Sequence, residues 1–121
     1  MTFTATSLIY FCGDMAAMRA FYTDVLGLAI VPSATFALDE WTELDAGTFR
    51  LCLHKAGKPG SPPHNRNKLV FRVADVAAAR AHLIARGVAM GKHHHWDEID
   101  ACDGRDPEGN AFQIAGPKTP A

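Results

Sequence analysis

The side chains best able to do chemistry gather at three places along the chain. His93-His94-His95 is a run of three imidazoles. Consecutive side chains on a strand leave opposite faces, so His93 and His95 share a side and could hold zinc weakly if a third group joined them. Read more plainly, they are polar strand or loop residues, some lining a pocket, because two imidazoles fall short of the usual ligand count. The run lies inside a repeated segment, which argues against an expression tag. Cys52 and His54 lie two residues apart and should face the same way along a regular strand. His54 could act as a general base, since free imidazole titrates close to neutrality, or it is a solvent-facing histidine at a strand end. A Cys52–His54 nucleophilic pair is conceivable but strained, because positions i and i+2 sit about 6–7 Å apart at the backbone. Glu98, Asp100 and Asp103 read as an acidic face of one strand candidate, either a solvated edge or part of a site.

Composition narrows what these groups can serve. The chain has 121 residues, 48% hydrophobic and 21% charged, enough for one core but not two independent ones. Twelve basic against thirteen acidic side chains give a net charge of −1, without the clustered Lys/Arg that nucleic acid or an acidic membrane requires. Met1 to Phe11 lacks a basic segment followed by a long apolar run, and no apolar stretch approaches the roughly 20 residues that span a bilayer. A cytoplasmic location is expected. Cys12, Cys52 and Cys102, at no metal-like spacing, read as reduced, buried thiols.

The elements that must position these groups occur twice. A shift of 61 residues lays Asp14–Ala20 on Asp75–Ala81 with five of seven identical, Leu8–Cys12 on Leu69–Val73, and Leu51–Leu53 on Phe112–Ile114. Three segments in one register argue for duplication. Each copy starts with an apolar strand, Leu8 to Cys12 or Leu69 to Val73. Asp14 or Asp75 then caps a helix that runs to Gly27 or Gly87, where glycine accepts the left-handed turn. The buried stripes are Met18, Phe21, Tyr22 and Val25 in the first helix and Val76, Ala79 and Leu83 in the second. Three shorter strands follow in each half, at about 28–32, 40–46 and 49–55, then 88–95, 98–103 and 110–115. Asp106-Pro107-Glu108-Gly109-Asn110 is strong turn chemistry. The chain is thus one α+β domain of two βαβββ modules, at about 5–55 and 68–116, with a Pro/Gly-rich linker over 56–67. Neither module can cover both faces of its sheet alone, so pairing is expected to close a curved mixed sheet around a cup, the natural ligand site.

The chain resembles the vicinal oxygen chelate superfamily, which includes glyoxalase I, fosfomycin and bleomycin resistance proteins and extradiol dioxygenases. The resemblance rests on Asp14, Phe21-Tyr22, Val25-Leu26-Gly27-Leu28, Arg50-Leu51-Cys52-Leu53, Asp75 through Gly87, and the final turn Asp106 to Asn110. It covers about residues 7 to 115. It implies the glyoxalase/bleomycin resistance/dioxygenase fold and places the family's His or Glu metal ligands at Ser7, Cys52, Lys68 and Gln113. The repeat gives the same pairing, since Ser7 and Lys68, like Cys52 and Gln113, are 61 apart. Pseudo-symmetry would bring all four to one point in the cup.

Those four residue types suit a divalent ion poorly. Lys68 brings a cation, Ser7 and Gln113 are weak neutral donors, and only Cys52 is a good one. The family's usual metal is therefore expected to be missing. Lys68, in a cup lined by Ile9, Phe11, Val70 and Leu53, could bind a ligand carboxylate or phosphate, or pair with Asp103, which motif alignment aims inward. Tyr10, Phe36, Trp41 and Trp96 read as core or rim residues, and an aromatic rim would suit a flat organic ligand. The expected function is capture of a small organic molecule, with Ser7, Cys52, His54, Lys68, Asp103 and Gln113 as binding residues and no cofactor. The alternative is a glyoxalase-like lyase, isomerase or dioxygenase with an unusual metal set or metal-free acid–base chemistry by His54, Lys68 or Cys52. Homodimerisation is expected because short curved sheets leave edges to cover. A cup filled by side chains would instead leave a dimeric interaction module.

Overall fold

Asp14 and Asp75 start the two helices as their side chains predict. In the computed structural model, which describes residues 1–118, the Asp14 carboxylate accepts the Ala17 N–H at 3.0 Å and the Asp75 carboxylate accepts the Ala78 N–H at 3.0 Å. Each helix belongs to its own compact unit, one extending to Asn65 and the other beginning at Arg66. The first unit contains β1 (Ser7–Cys12), α1 (Met15–Ala20), β2 (Ala29–Val31), β3 (Trp41–Asp45) and β4 (Arg50–Lys55). The second contains β5 (Leu69–Arg72), α2 (Val76–Ala85), β6 (Met90–His95), β7 (Ile99–Arg105) and β8 (Ala111–Pro117). Each forms a four-stranded mixed sheet, in the orders β1-β4-β3-β2 and β5-β8-β7-β6.

The first helix departs from the expected run to Gly27. After Ala20 it widens into a π-helical turn over Phe21–Val25, with Leu26 N–H bonded to Phe21 O at 3.1 Å. The Thr23 hydroxyl donates to Arg19 O at 2.8 Å, taking the carbonyl that an α-helical N–H would use. The widening lets the adjacent Phe21 and Tyr22 both enter the core, in edge contact at 5.1 Å. Met15 and Met18 join them there, while Val25 is only half-buried. The second helix ends as glycine predicts. Gly87 takes φ +82°, and Val88 N–H turns back to Leu83 O at 3.0 Å, which keeps Val88 out of the following strand. Val76 and Leu83 form its buried stripe, with Ala79 half-buried.

In both sheets the first strand pairs parallel with the last. Ile9 lies opposite Cys52 and Val70 opposite Gln113, so the 61-residue repeat is reproduced in the hydrogen-bond register. The offset is 60 from Gly27 and Gly87 through to the third strand, where Leu44 pairs with Leu51 but Gly104 with Phe112. Asp106–Asn110 regains the missing residue in the last turn. There the buried Asp106 accepts the N–H groups of Glu108 and Asn110, both at 2.9 Å. On the helix-covered faces lie Tyr10, Cys12, Leu44, Leu51 and Leu53 in the first sheet, and Leu69, Cys102, Phe112 and Ile114 in the second.

Gly116 marks the tightest approach between parallel strands: a Cβ there would strike the Val73 carbonyl oxygen. Rigid backbone cannot yield as a flexible side chain would. Gly116→Ala should therefore lower unfolding free energy by about 3 kcal/mol, the upper end for overpacking, read as a reduced urea midpoint at unchanged m-value.

Candidate functional site

Strand alternation sorts the candidate residues by face. In the first sheet Ser7, Ile9 and Phe11 of β1, Arg50, Cys52 and His54 of β4, and Trp41 and Glu43 of β3 share the face opposite the core. Phe11, His54 and Trp41 form one cross-strand row. The His54 ring lies 5.6 Å from Phe11 and 5.7 Å from Trp41, and Phe36 lies 6.2 Å from Trp41. Phe36, Glu40, Trp41 and His54 line a cavity of about 520 Å³. Leu53 does not join this surface: it is fully buried on the other face, correcting its expected place in a cup lining. Tyr10 is likewise pure core, whereas Phe36 and Trp96 are exposed.

Cys52 and His54 occupy successive positions on the same face of β4, yet the His54 ring is engaged by aromatic neighbours. Cys52 is only 2% exposed. Burial first, then the negative charge of Glu43, push its thiol up, against the smaller pull of Arg50. A thiol held neutral is a poor nucleophile and a poor metal ligand. Cys12, Cys52 and Cys102 are all buried and none is in a disulfide.

In the second sheet Asp103 is the centre of a polar network. Its carboxylate accepts from Lys68 Nζ at 3.1 and 3.3 Å and from Gln113 Nε2 at 3.0 Å, Gln113 being its direct partner across β7 and β8. Partial burial raises the Asp103 pKa, but the hydrogen bonds from Gln113 and Lys68, with the charges of Lys68 and His94, outweigh it and hold the carboxyl below its usual range. Of the two roles open to Lys68, ligand anion or Asp103, the ion pair with Asp103 is present. The four positions that the family resemblance assigns to metal ligands hold an ion-paired ammonium, an amide whose nitrogen faces a carboxylate, a neutral buried thiol and the hydroxyl of Ser7. That donor set does not fit a divalent ion.

The acidic face expected from Glu98, Asp100 and Asp103 does not exist as such. Glu98 precedes β7, and Asp100 and Asp103, an odd number apart, leave opposite faces. Asp100 is fully buried and meets His93 and His95 instead. His93 and His95 do share a side, their rings stacked at 4.2 Å, while His94 stacks with Trp96 at 6.0 Å. Two contributors went unread in the sequence: Glu40, which looked like a strand end, and Asp100 as the partner of the histidines. Gly91 inside a strand was the available signal for the second, since an interior glycine often marks a bulge.

The family model of the glyoxalase-like domain covers residues 7–115. The chain belongs to that family. No curated protein matches it in sequence. This glyoxalase-like domain is similar in fold to TnmS3, an antibiotic binding protein from Streptomyces sp. CB03234, with TM-score 0.79 and 22% identity over 98% of this chain and 99% of the other. It is also similar to lactoylglutathione lyase from Agrobacterium tumefaciens, with TM-score 0.73 and 20% identity over 93% and 92% of the two chains. A third similar structure is an integron cassette protein from the mobile metagenome of V. cholerae, with TM-score 0.72 and 23% identity over 96% and 97%. Among the described residues, no helix of the glyoxalase-like domain is long and apolar enough to cross a membrane.

Asp103 carries the pH signature of this network. Its folded pKa is depressed, so its contribution to stability is present above the unfolded value and is lost as pH falls through the folded one. Asp103→Asn should cost about 0.5 kcal/mol at neutral pH, a figure kept small because both charged partners are substantially exposed. The cost should shrink as the pH falls below the usual carboxylate range, toward the depressed folded pKa. Urea unfolding of both proteins at pH 7 and pH 3 measures it.

Proposed function

We propose that this glyoxalase-like domain binds a small, flat organic molecule without a metal at the family's ligand positions. The observation that carries the reading is the aromatic cleft on the first sheet, where Phe36, Trp41 and His54 enclose about 520 Å³. That volume falls in the range of small-molecule sites, about 300–1,000 Å³. Offset or edge-on aromatic walls suit a planar ring system. Glu40 on the rim supplies one polar group for a basic or hydroxylated substituent. Neither Ser7 and Cys52 in the first unit nor Lys68 and Gln113 in the second offers the imidazole or carboxylate donors that a divalent ion prefers. The likeness to an antibiotic binding protein is consistent with this reading.

His54 favours one second reading. An imidazole on the cleft wall could move a proton on a bound molecule, in a lyase, isomerase or dioxygenase reaction. The proposal includes assembly as a homodimer, since the edge strands β1 and β5 expose Ile9, Phe11 and Val70.

The test uses naphthalene- and quinoline-based probes and the fluorescence of Trp41 in a Trp96→Phe background, which leaves one tryptophan. Quenching of Trp41 should saturate and be unchanged by EDTA. Trp41→Ala, followed by calorimetry, should weaken binding about tenfold, equivalent to about 1.4 kcal/mol. Failure of every planar probe to bind, or binding abolished by EDTA, would sink the proposal. His54→Gln separates the two readings: binding persists in both, but turnover of a bound compound is lost only in the second.

A further inference from the structure

The geometry assigns a second site to this chain: His93, His95 and Asp100 form a binding site for a divalent transition-metal ion of the imidazole-preferring class, with zinc as its representative. The site depends on a register shift. Met90 pairs with Gly104, so an unbroken antiparallel ladder would set Lys92 opposite Cys102 and His94 opposite Asp100. The structure instead pairs His93 with Cys102 and His95 with Asp100. One extra residue in the Gly91–Lys92 stretch has therefore moved His93 and His95 onto the face that carries Asp100. A bulge of this kind re-aims side chains, and such bulges are over-represented beside functional sites.

The three donors are already near ligand spacing. His95 Nδ1 lies 2.9 Å from Asp100 Oδ1, and His93 Nε2 lies 3.1 Å from Asp100 Oδ2. One ligand atom from each residue falls within 4.8 Å of the others. Donors about 2.0–2.1 Å from a tetrahedral zinc stand roughly 3.3 Å from one another, so small side-chain adjustments suffice. His93 Nε2 is buried and lies 3.1 Å from Asp100 Oδ2, yet makes no hydrogen bond. A metal would use that orphaned nitrogen. It would also balance a carboxylate whose side chain is fully buried. The His95 side chain is 56% exposed, which leaves a path of entry and room for water as a fourth ligand.

This site is distinct from the positions assigned to metal in the family. Asp100 faces the helix-covered side of the second sheet, and Asp103, the partner of Lys68 and Gln113, faces the other. Nor does the first unit contain a copy. Its second strand stops at Val31, followed by Pro32, Ser33 and Ala34, where no imidazole is available.

Untagged protein, stripped with a chelator and dialysed, is titrated with zinc against a chromophoric chelator, and thermal unfolding is followed in parallel. One zinc per chain and a rise in Tm are expected. His93→Asn and His95→Asn should each weaken binding by more than about 100-fold, beyond what loss of an outer-shell partner costs. His94→Asn, on the opposite face, should leave binding unchanged. Because Asp100→Asn removes a buried group and puts folding at risk, the histidine variants carry the test, with circular dichroism confirming that they fold. Failure of the wild type to take up stoichiometric zinc overturns the site. So does uptake that His94→Asn reduces as much as His95→Asn. Neither result bears on the aromatic cleft of the first sheet, which is probed separately with EDTA present.

Discussion

Each unit is governed by parallel pairing between its first and last strands. Parallel strands cannot be joined by a hairpin and need a crossover, which here consists of the helix and the two intervening strands. The pairing fixes which distant residues share a surface: Ile9 with Cys52, and Val70 with Gln113, each 43 residues apart. It continues past the strand ends, through Ala56 N–H to Cys12 O at 2.8 Å and Val73 N–H to Ala115 O at 3.0 Å. At the second of these junctions only glycine fits at position 116. The faces presented by β1, β4, β5 and β8 follow from this register, because a slip of one residue would exchange the two faces of a strand.

Within the second sheet, β7 shows how position alone divides the roles of like residues. Asp100 and Asp103 carry the same group on the same strand, yet one is fully buried against two imidazoles and the other is half-exposed beside an ammonium and an amide. The half-exposed carboxylate is stabilised as an anion by Gln113 and Lys68, a neighbourhood with no need of an added cation. The buried one has lost its water, so its charge must be met by nearby groups. Equal chemistry on opposite faces thus creates opposite electrostatic demands.

Much of the fold was legible because duplication states each element twice. The capping aspartates, the glycine ending α2 and the terminal turn from Asp106 all follow from residue types. The widened turn at Phe21–Val25 was not legible, since it depends on whether the Thr23 hydroxyl wins the Arg19 carbonyl from a backbone N–H. Of the site residues, the Lys68–Asp103 pair and the shared side of His93 and His95 were readable from motif order and strand parity. Grouping Asp100 with Asp103 was an error of parity, and placing Leu53 on the open face was another. The meeting of Asp100 with the histidines could not be counted from sequence, because a bulge leaves no residue signature stronger than Gly91.

That bulge has a consequence for how such a molecule acquires new chemistry. Gene duplication supplies two equivalent scaffolds, and a point substitution in either must find partners already in place. Inserting one residue into a strand does something larger: it turns a whole alternating set inside out, up to the next turn, while the neighbouring strand stays put. In β6 the extra residue sets His93 and His95 on one face and His94 on the other, while β7 keeps a continuous ladder with β8. Change of this sort is abrupt and confined to one strand, exchanging its two faces while the neighbouring strand keeps its own partners.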